Sequence, residues 1–117
     1  MGRSGGAAQG WFRWVSWRLD IRPAALADIE NEAVWYEERQ QGLGAAFAKT
    51  IRRAIAGLAD DPLIYRMRSR RLRIRWFIPP RFPYRIVYRV DGDLVTVLAL
   101  IHGARHDREW RKRARRA

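Results

Sequence analysis

Cysteine is absent from the chain, which excludes a disulfide framework, thiolate metal sites and thiol redox chemistry. No apolar run approaches the roughly 20 residues that a membrane helix needs. The opening Met1–Gly6 is not followed by the apolar stretch of a signal peptide, so the expected location is the cytoplasm. Acidic side chains are scarce, 12 against 24 Lys and Arg, and the shortage is local. Residues 1–65 hold eight basic and eight acidic side chains, whereas residues 66–117 hold sixteen and four and so carry the whole net charge of +12. A field this one-sided attracts polyanions: RNA, DNA or an acidic protein segment. The bland alternative is a solvated arginine surface.

What is present suits a single domain. The 117 residues are 48% hydrophobic, enough for one core and too apolar for a wholly disordered chain. Residues 1–10 are small and rich in glycine, and 1–13 read as a flexible extension. Val15, Trp17, Leu19 and Ile21 then alternate with polar residues, as in a half-buried strand. Pro23 suits a first helical turn, and Leu26, Ile29, Ala33 and Tyr36 mark the inward stripe of a helix over 23–40. Trp35 points nearly opposite that stripe and is a candidate partner contact. Gly42-Leu43-Gly44 breaks the pattern. A second helix to about residue 59 follows, with Leu43, Phe47, Ile51, Ala54 and Leu58 on one face. Together the two predict an antiparallel helix hairpin.

The remainder reads as strand. Leu72, Ile74, Trp76 and Ile78 alternate with Arg71, Arg73, Arg75 and Phe77 before Pro79-Pro80 closes the run. Tyr84, Ile86, Tyr88 and Val90 alternate with Arg85, Val87 and Arg89, and Asp91-Gly92 signals a hairpin. Residues 94–101 are apolar on both faces apart from Thr96, as a central strand would be. The expected fold class is α+β: a strand, an antiparallel two-helix hairpin, then three antiparallel strands in one sheet with the helices on one face. If the apolar sets pack under the helices, Arg73, Arg75, Arg85 and Arg89 emerge together on the other face. Residues 111–117 read as a basic tail.

Several words in this order resemble the RelE/ParE toxin superfamily. They are Ala27-Asp28-Ile29, Tyr36-Glu37-Glu38-Arg39, Gly42-Leu43-Gly44, Phe47, Asp61-Pro62, Phe82-Pro83-Tyr84-Arg85-Ile86-Val87-Tyr88-Arg89-Val90, Leu98-Ala99-Leu100-Ile101-His102-Gly103-Ala104-Arg105 and Trp110. The resemblance covers residues 14–110. It implies the toxin of a type II toxin–antitoxin pair, held in a hetero-oligomer by an antitoxin whose acidic, partly disordered segment lies across it. It implies no membrane and no cofactor. It also implies one of two targets: DNA gyrase, as for ParE-like members, or mRNA in the ribosome, as for RelE-like endoribonucleases.

For a nuclease, the matching residues would be Arg85 and Arg105 as phosphate stabilisers, with His106 the available proton carrier. RelE-like nucleases keep a tyrosine or histidine near the C-terminus, where this chain has Trp110, whose indole only donates. The Phe-Pro-Tyr and His-Gly-x-Arg words sit closer to the ParE-like branch. On that branch Arg73, Arg75, Arg85, Arg89, Arg105, Trp110 and Trp35 are the candidate contacts with target or antitoxin. His102 and His106 are four apart on a strand end and loop, not a helix, so no metal site is expected. A non-toxic basic nucleic-acid-binding module is the third reading, although no recognition-helix or RNA-platform motif accompanies it.

Overall fold

The computed structural model describes residues 17–103 and 108–116. The chain runs β1 (Arg18–Ile21), α1 (Pro23–Arg39), α2 (Leu43–Gly57), β2 (Met67–Ser69), β3 (Ile74–Phe77), β4 (Tyr84–Asp91), β5 (Leu94–His102) and α3 (Arg108–Arg116). The strands form one sheet in the order β1-β5-β4-β3-β2. β1 pairs with β5 in parallel, and the other neighbours are antiparallel. The expected α+β class holds, with the helix hairpin against one sheet face. The structure adds a short fifth strand, β2, and a helix where a basic tail was expected.

The main core lies between the hairpin and the sheet. From α1 it takes Ala25 and Ile29, from α2 Phe47, Ile51 and Ile55, and from the C-cap of α2 Leu58. The strands supply Phe77, Tyr84, Ile86, Tyr88, Val95, Val97 and Leu100. Both helix stripes repeat at three and four residues, as the period of 3.6 requires. Their phase departs slightly from expectation. Leu26 is exposed and Ala25 takes the inward place, while Ile55 is buried where Ala54 only flanks the core.

The hairpin closes on one carboxylate. Glu37 of α1 accepts the N–H groups of Gly42 and Gly44, each at 2.9 Å, and so caps α2, whose N-cap residue offers no side-chain cap of its own. Gly42 sits at φ 86° to make the turn. Gly44 lies so close to α1 that an added Cβ would stand 2.4 Å from the Ala33 carbonyl oxygen.

A second core occupies the opposite sheet face. Ile74, Val87, Leu98, Ala99 and Ile101 are covered there by Trp110 and Ala114 of α3. β5 is therefore buried on both sides, as its two-faced apolar run predicts. β1 pairs with β5 only as far as Ile21↔Val97, which leaves the upper edge of β5 without a strand. Asp28 and Arg113 fill it. Asp28 accepts the Leu100 N–H at 3.0 Å, and Arg113 donates to the Leu98 carbonyl at 3.0 Å and to Asp28 at 2.9 Å. The pair satisfies edge groups that would otherwise be orphaned and ties α3 to α1 around the sheet.

Candidate functional site

The face that carries α3 also carries the exposed charge, and strand register decides which arginines reach it. Ile74 lies opposite Arg89 and Trp76 opposite Val87, so these four share the α3 face with Arg85. Arg75 pairs with Tyr88 on the hairpin face, where its guanidinium donates to the carbonyls of Leu63 and Tyr65 and ties down the segment after α2. The expected grouping of four arginines is thus corrected. β3 starts at Ile74 rather than Arg71, and its Ile74 and Trp76 pack under α3 instead of under the hairpin. Arg73 belongs to the preceding turn at φ 57°, and it forms a 2.7 Å ion pair with Asp91. Arg89 approaches the same carboxylate at 3.5 Å.

Trp110 is also corrected as a contact residue, for its side chain is 2% exposed in the second core. Trp35 is 46% exposed on α1, with the Arg39 guanidinium 3.7 Å from its ring centre. Arg105 and His106 lie outside the described residues.

Arg68 and Trp76, which sequence reasoning did not single out, complete the cluster with Arg85. Arg68 of β2 and Arg85 of β4 both stack on Trp76, with guanidinium carbons 3.7 and 4.4 Å from the ring centre. The two charges are thus within roughly 8 Å, where Coulomb repulsion at an effective dielectric of 20 is about 2 kcal/mol before salt screening. Two cation–π contacts return about 1–2 kcal/mol, a sum similar in size to that repulsion. Burial first, then repulsion from Arg66 and Arg85, lowers the Arg68 pKa below the usual arginine value. The Arg68 Nε is buried with no hydrogen-bond partner. The signal was available in Arg66 and Arg68 alternating with Met67 and Ser69, but a three-residue strand is too short to read with any force.

The tyrosines stand elsewhere. Tyr36, Tyr84 and Tyr88 belong to the main core, and Tyr65 stacks on Phe77 there. Tyr84 donates to Glu32, and burial followed by that hydrogen bond pushes its pKa far upward. Tyr88 donates to the Pro62 carbonyl, and burial raises it to about 12. His102 pairs with Tyr84 across the strands, its ring 5.2 Å away, and shares the hairpin face. Among the described residues, no tyrosine or histidine shares a sheet face with Arg85, and no cluster of three or more His, Asp or Glu could hold a metal ion.

Fold and site together define a class: a small α+β domain with a helix hairpin on one sheet face and a cationic surface beside a short helix on the other. A family model described as "ParE toxin of type II toxin-antitoxin system, parDE" matches residues 19–107. The chain belongs to that family of toxins. Its structure is similar to that of the chromosomal ParDE toxin–antitoxin system from P. aeruginosa, with a TM-score of 0.66 at 17% identity over 76% of this chain and 98% of the other. It is also similar to a mutant of the E. coli toxin RelE in the free state, with a TM-score of 0.63 at 17% identity over 86% and 97% of the two chains. The toxin–antitoxin complex RelBE2 from Mycobacterium tuberculosis follows, at 0.52 and 21% identity over 75% and 99%. At these identities the likenesses show the fold. No curated protein matches the chain in sequence.

Proposed function

We propose that this toxin arrests growth by binding DNA gyrase, without cutting RNA, and that its antitoxin neutralises it by covering the same cationic surface. The observation that carries the reading is the segregation of the two sheet faces. Metal-free RNA cleavage needs a proton carrier beside the phosphate-stabilising arginine. On the face that holds Arg85, the described residues offer guanidiniums and carboxylates but neither tyrosine nor histidine. Such a surface can bind and orient, and it is poorly equipped to move a proton near neutral pH.

Arg68 and Arg85 are the centre of the proposed contact, with Arg73 and Arg89 beside them around Asp91. Arg108, Arg111, Lys112 and Arg115 extend the charge along the exposed side of α3. Arg105 belongs to this proposal by its place in the family word. Trp35, on the hairpin layer, is proposed as an antitoxin contact. No helix among the described residues is long and apolar enough to cross a membrane.

Purified toxin should inhibit gyrase supercoiling with no ribosome present. Arg85→Ala should weaken that inhibition in a graded way, by about 1–3 kcal/mol for a charged hydrogen bond to the target. Primer extension on cellular mRNA should show no codon-phased cuts. Cuts made by the wild-type protein and lost in Arg85→Ala would establish the ribonuclease reading instead.

A further inference from the structure

The exposed apolar residues are unevenly spread, and several gather where the end of α2 meets the end of β3. A groove of about 580 Å³ opens there on the hairpin side. Leu58 and Phe77 of the main core form its floor, and Ile64 and Ile78 stand on its walls, 66% and 58% exposed. Apolar surface gathered in this way marks a contact site. Its rim carries charge of both signs. Arg53 stands on α2, and Asp60 and Asp61 follow the helix end. Among the described residues, none of these three side chains has a hydrogen bond or an ion pair. The turns that end α2 keep the charges in line. Leu58, Ala59 and Asp60 donate their N–H groups to Ile55, Ala56 and Gly57, so the chain advances three residues per turn there. Arg53, Gly57 and Asp60 therefore stand on one side of the rod, with the charges roughly 10–12 Å apart along it. Between them the wall is low, for a Cβ added to Gly57 would meet nothing within 4 Å. The acidic end is also the C-terminal end of α2, whose last turn holds no basic residue. Helix C-termini favour cations, so two carboxylates leave this end short of its complement.

We propose that this groove is the face on which a second copy of the chain docks, with the two α2 helices antiparallel across a twofold axis. Arg53 of each copy then meets Asp60 and Asp61 of the other, and the Ile64 and Ile78 side chains close the centre. A strip that is positive at one end and negative at the other matches itself only in the reversed direction, which a twofold axis supplies. The arriving Arg53 brings to the end of α2 the cation that its own last turn lacks. Charge decides the choice of occupant. Residues 1–65, which supply α2 and most of the groove, balance eight basic against eight acidic side chains. The α3 face collects like charge and would repel its own copy. An acidic partner segment would meet two carboxylates on the rim, which oppose it. The docking leaves the α3 face outside the contact, so the inference does not rest on the target proposed above.

Sedimentation equilibrium of the purified full chain should approach twice the mass of one chain as concentration rises. Arg53→Glu should weaken the association about tenfold, since the symmetry removes two rim pairs at once. Asp60→Arg combined with Asp61→Arg should weaken it comparably. An equimolar mixture of these two variants should recover wild-type association, because the unlike pair restores opposite charges at both contacts. Ile64→Asp should lose about a hundredfold by putting a charge into the apolar centre of each copy. All four positions are exposed, and circular dichroism should show each variant folded. Where one charge variant does not fold, the other and Ile64→Asp decide the matter. A wild-type chain that stays monomeric at every concentration would overturn the contact. So would a dimer indifferent to all three changes, or charge variants that do not recover on mixing. A monomer whose groove instead binds a labelled amphipathic peptide of Leu, Ala and Glu, with affinity lost in Ile64→Asp, would overturn the second copy in favour of another protein's helix.

Discussion

Phe47 sits where three other rings converge, with Tyr36 stacked at 4.9 Å and Phe82 and Tyr84 edge-on at 4.8 and 5.3 Å. Truncation to alanine removes those contacts and leaves a cavity, at a cost of about 3–5 kcal/mol. That is a large share of the ~5–15 kcal/mol typical of a whole domain. Urea denaturation of Phe47→Ala should show a sharply lowered midpoint, and toxicity should vanish through loss of folding. An undiminished midpoint would show that Phe47 does not anchor the core. Tyr88 makes a prediction about pH. Its hydroxyl is held neutral in the fold up to about 12, against an ordinary value of 10.0. Between those limits the unfolded chain ionises and the folded one does not, so stability should be level below pH 10 and decline as pH rises to 12. Tyr84 is shifted in the same direction and adds to the decline. Tyr88→Phe should flatten the profile in that window, and an equally steep decline would place its cause in other groups.

The helix hairpin depends on a close approach that one methyl group can disturb. Gly44→Ala forces α2 away from the Ala33 carbonyl and strains the Glu37 cap, an overpacking change worth about 1–3 kcal/mol. The thermal midpoint should fall accordingly. A variant as stable as the wild type would mean that the helices separate freely. This element was legible in advance, because two apolar stripes of helical period flank a pair of glycines. β4 and β5 were legible too, the first by alternation and the second by apolar residues on both faces. β3 and α3 failed together. A strand with Ile74 and Trp76 on one side and Phe77 on the other does not announce which side meets the hairpin. The deciding fact is a helix whose nine residues offer only Trp110 and Ala114 as apolar anchors among six basic side chains. Burial of those two residues, four apart, gives α3 its place, and a charge-rich pattern conceals it. The arginine pair around Trp76 was illegible for the same reason, since it depends on the phase of β3 and on β2.

At the scale of the molecule, charge and topology act separately. The excess of twelve positive charges lies wholly after residue 65, and the folded chain collects much of it around the α3 face. Association with an acidic partner should therefore be steered electrostatically and slow markedly as salt rises, since screening acts over ~8–10 Å at physiological ionic strength. Stopped-flow on-rates that stay constant between low and high salt would remove steering from the account. Topology sets a different limit. β5, the strand on which β1, β4 and α3 all lean, follows in sequence every strand that it joins. At ~5–20 residues per second, β1 waits several seconds of synthesis for its partner near residue 94. A chain halted before that point holds one strand and one three-stranded ribbon with nothing to join them. The product therefore becomes whole only after the strand that joins its parts has been made.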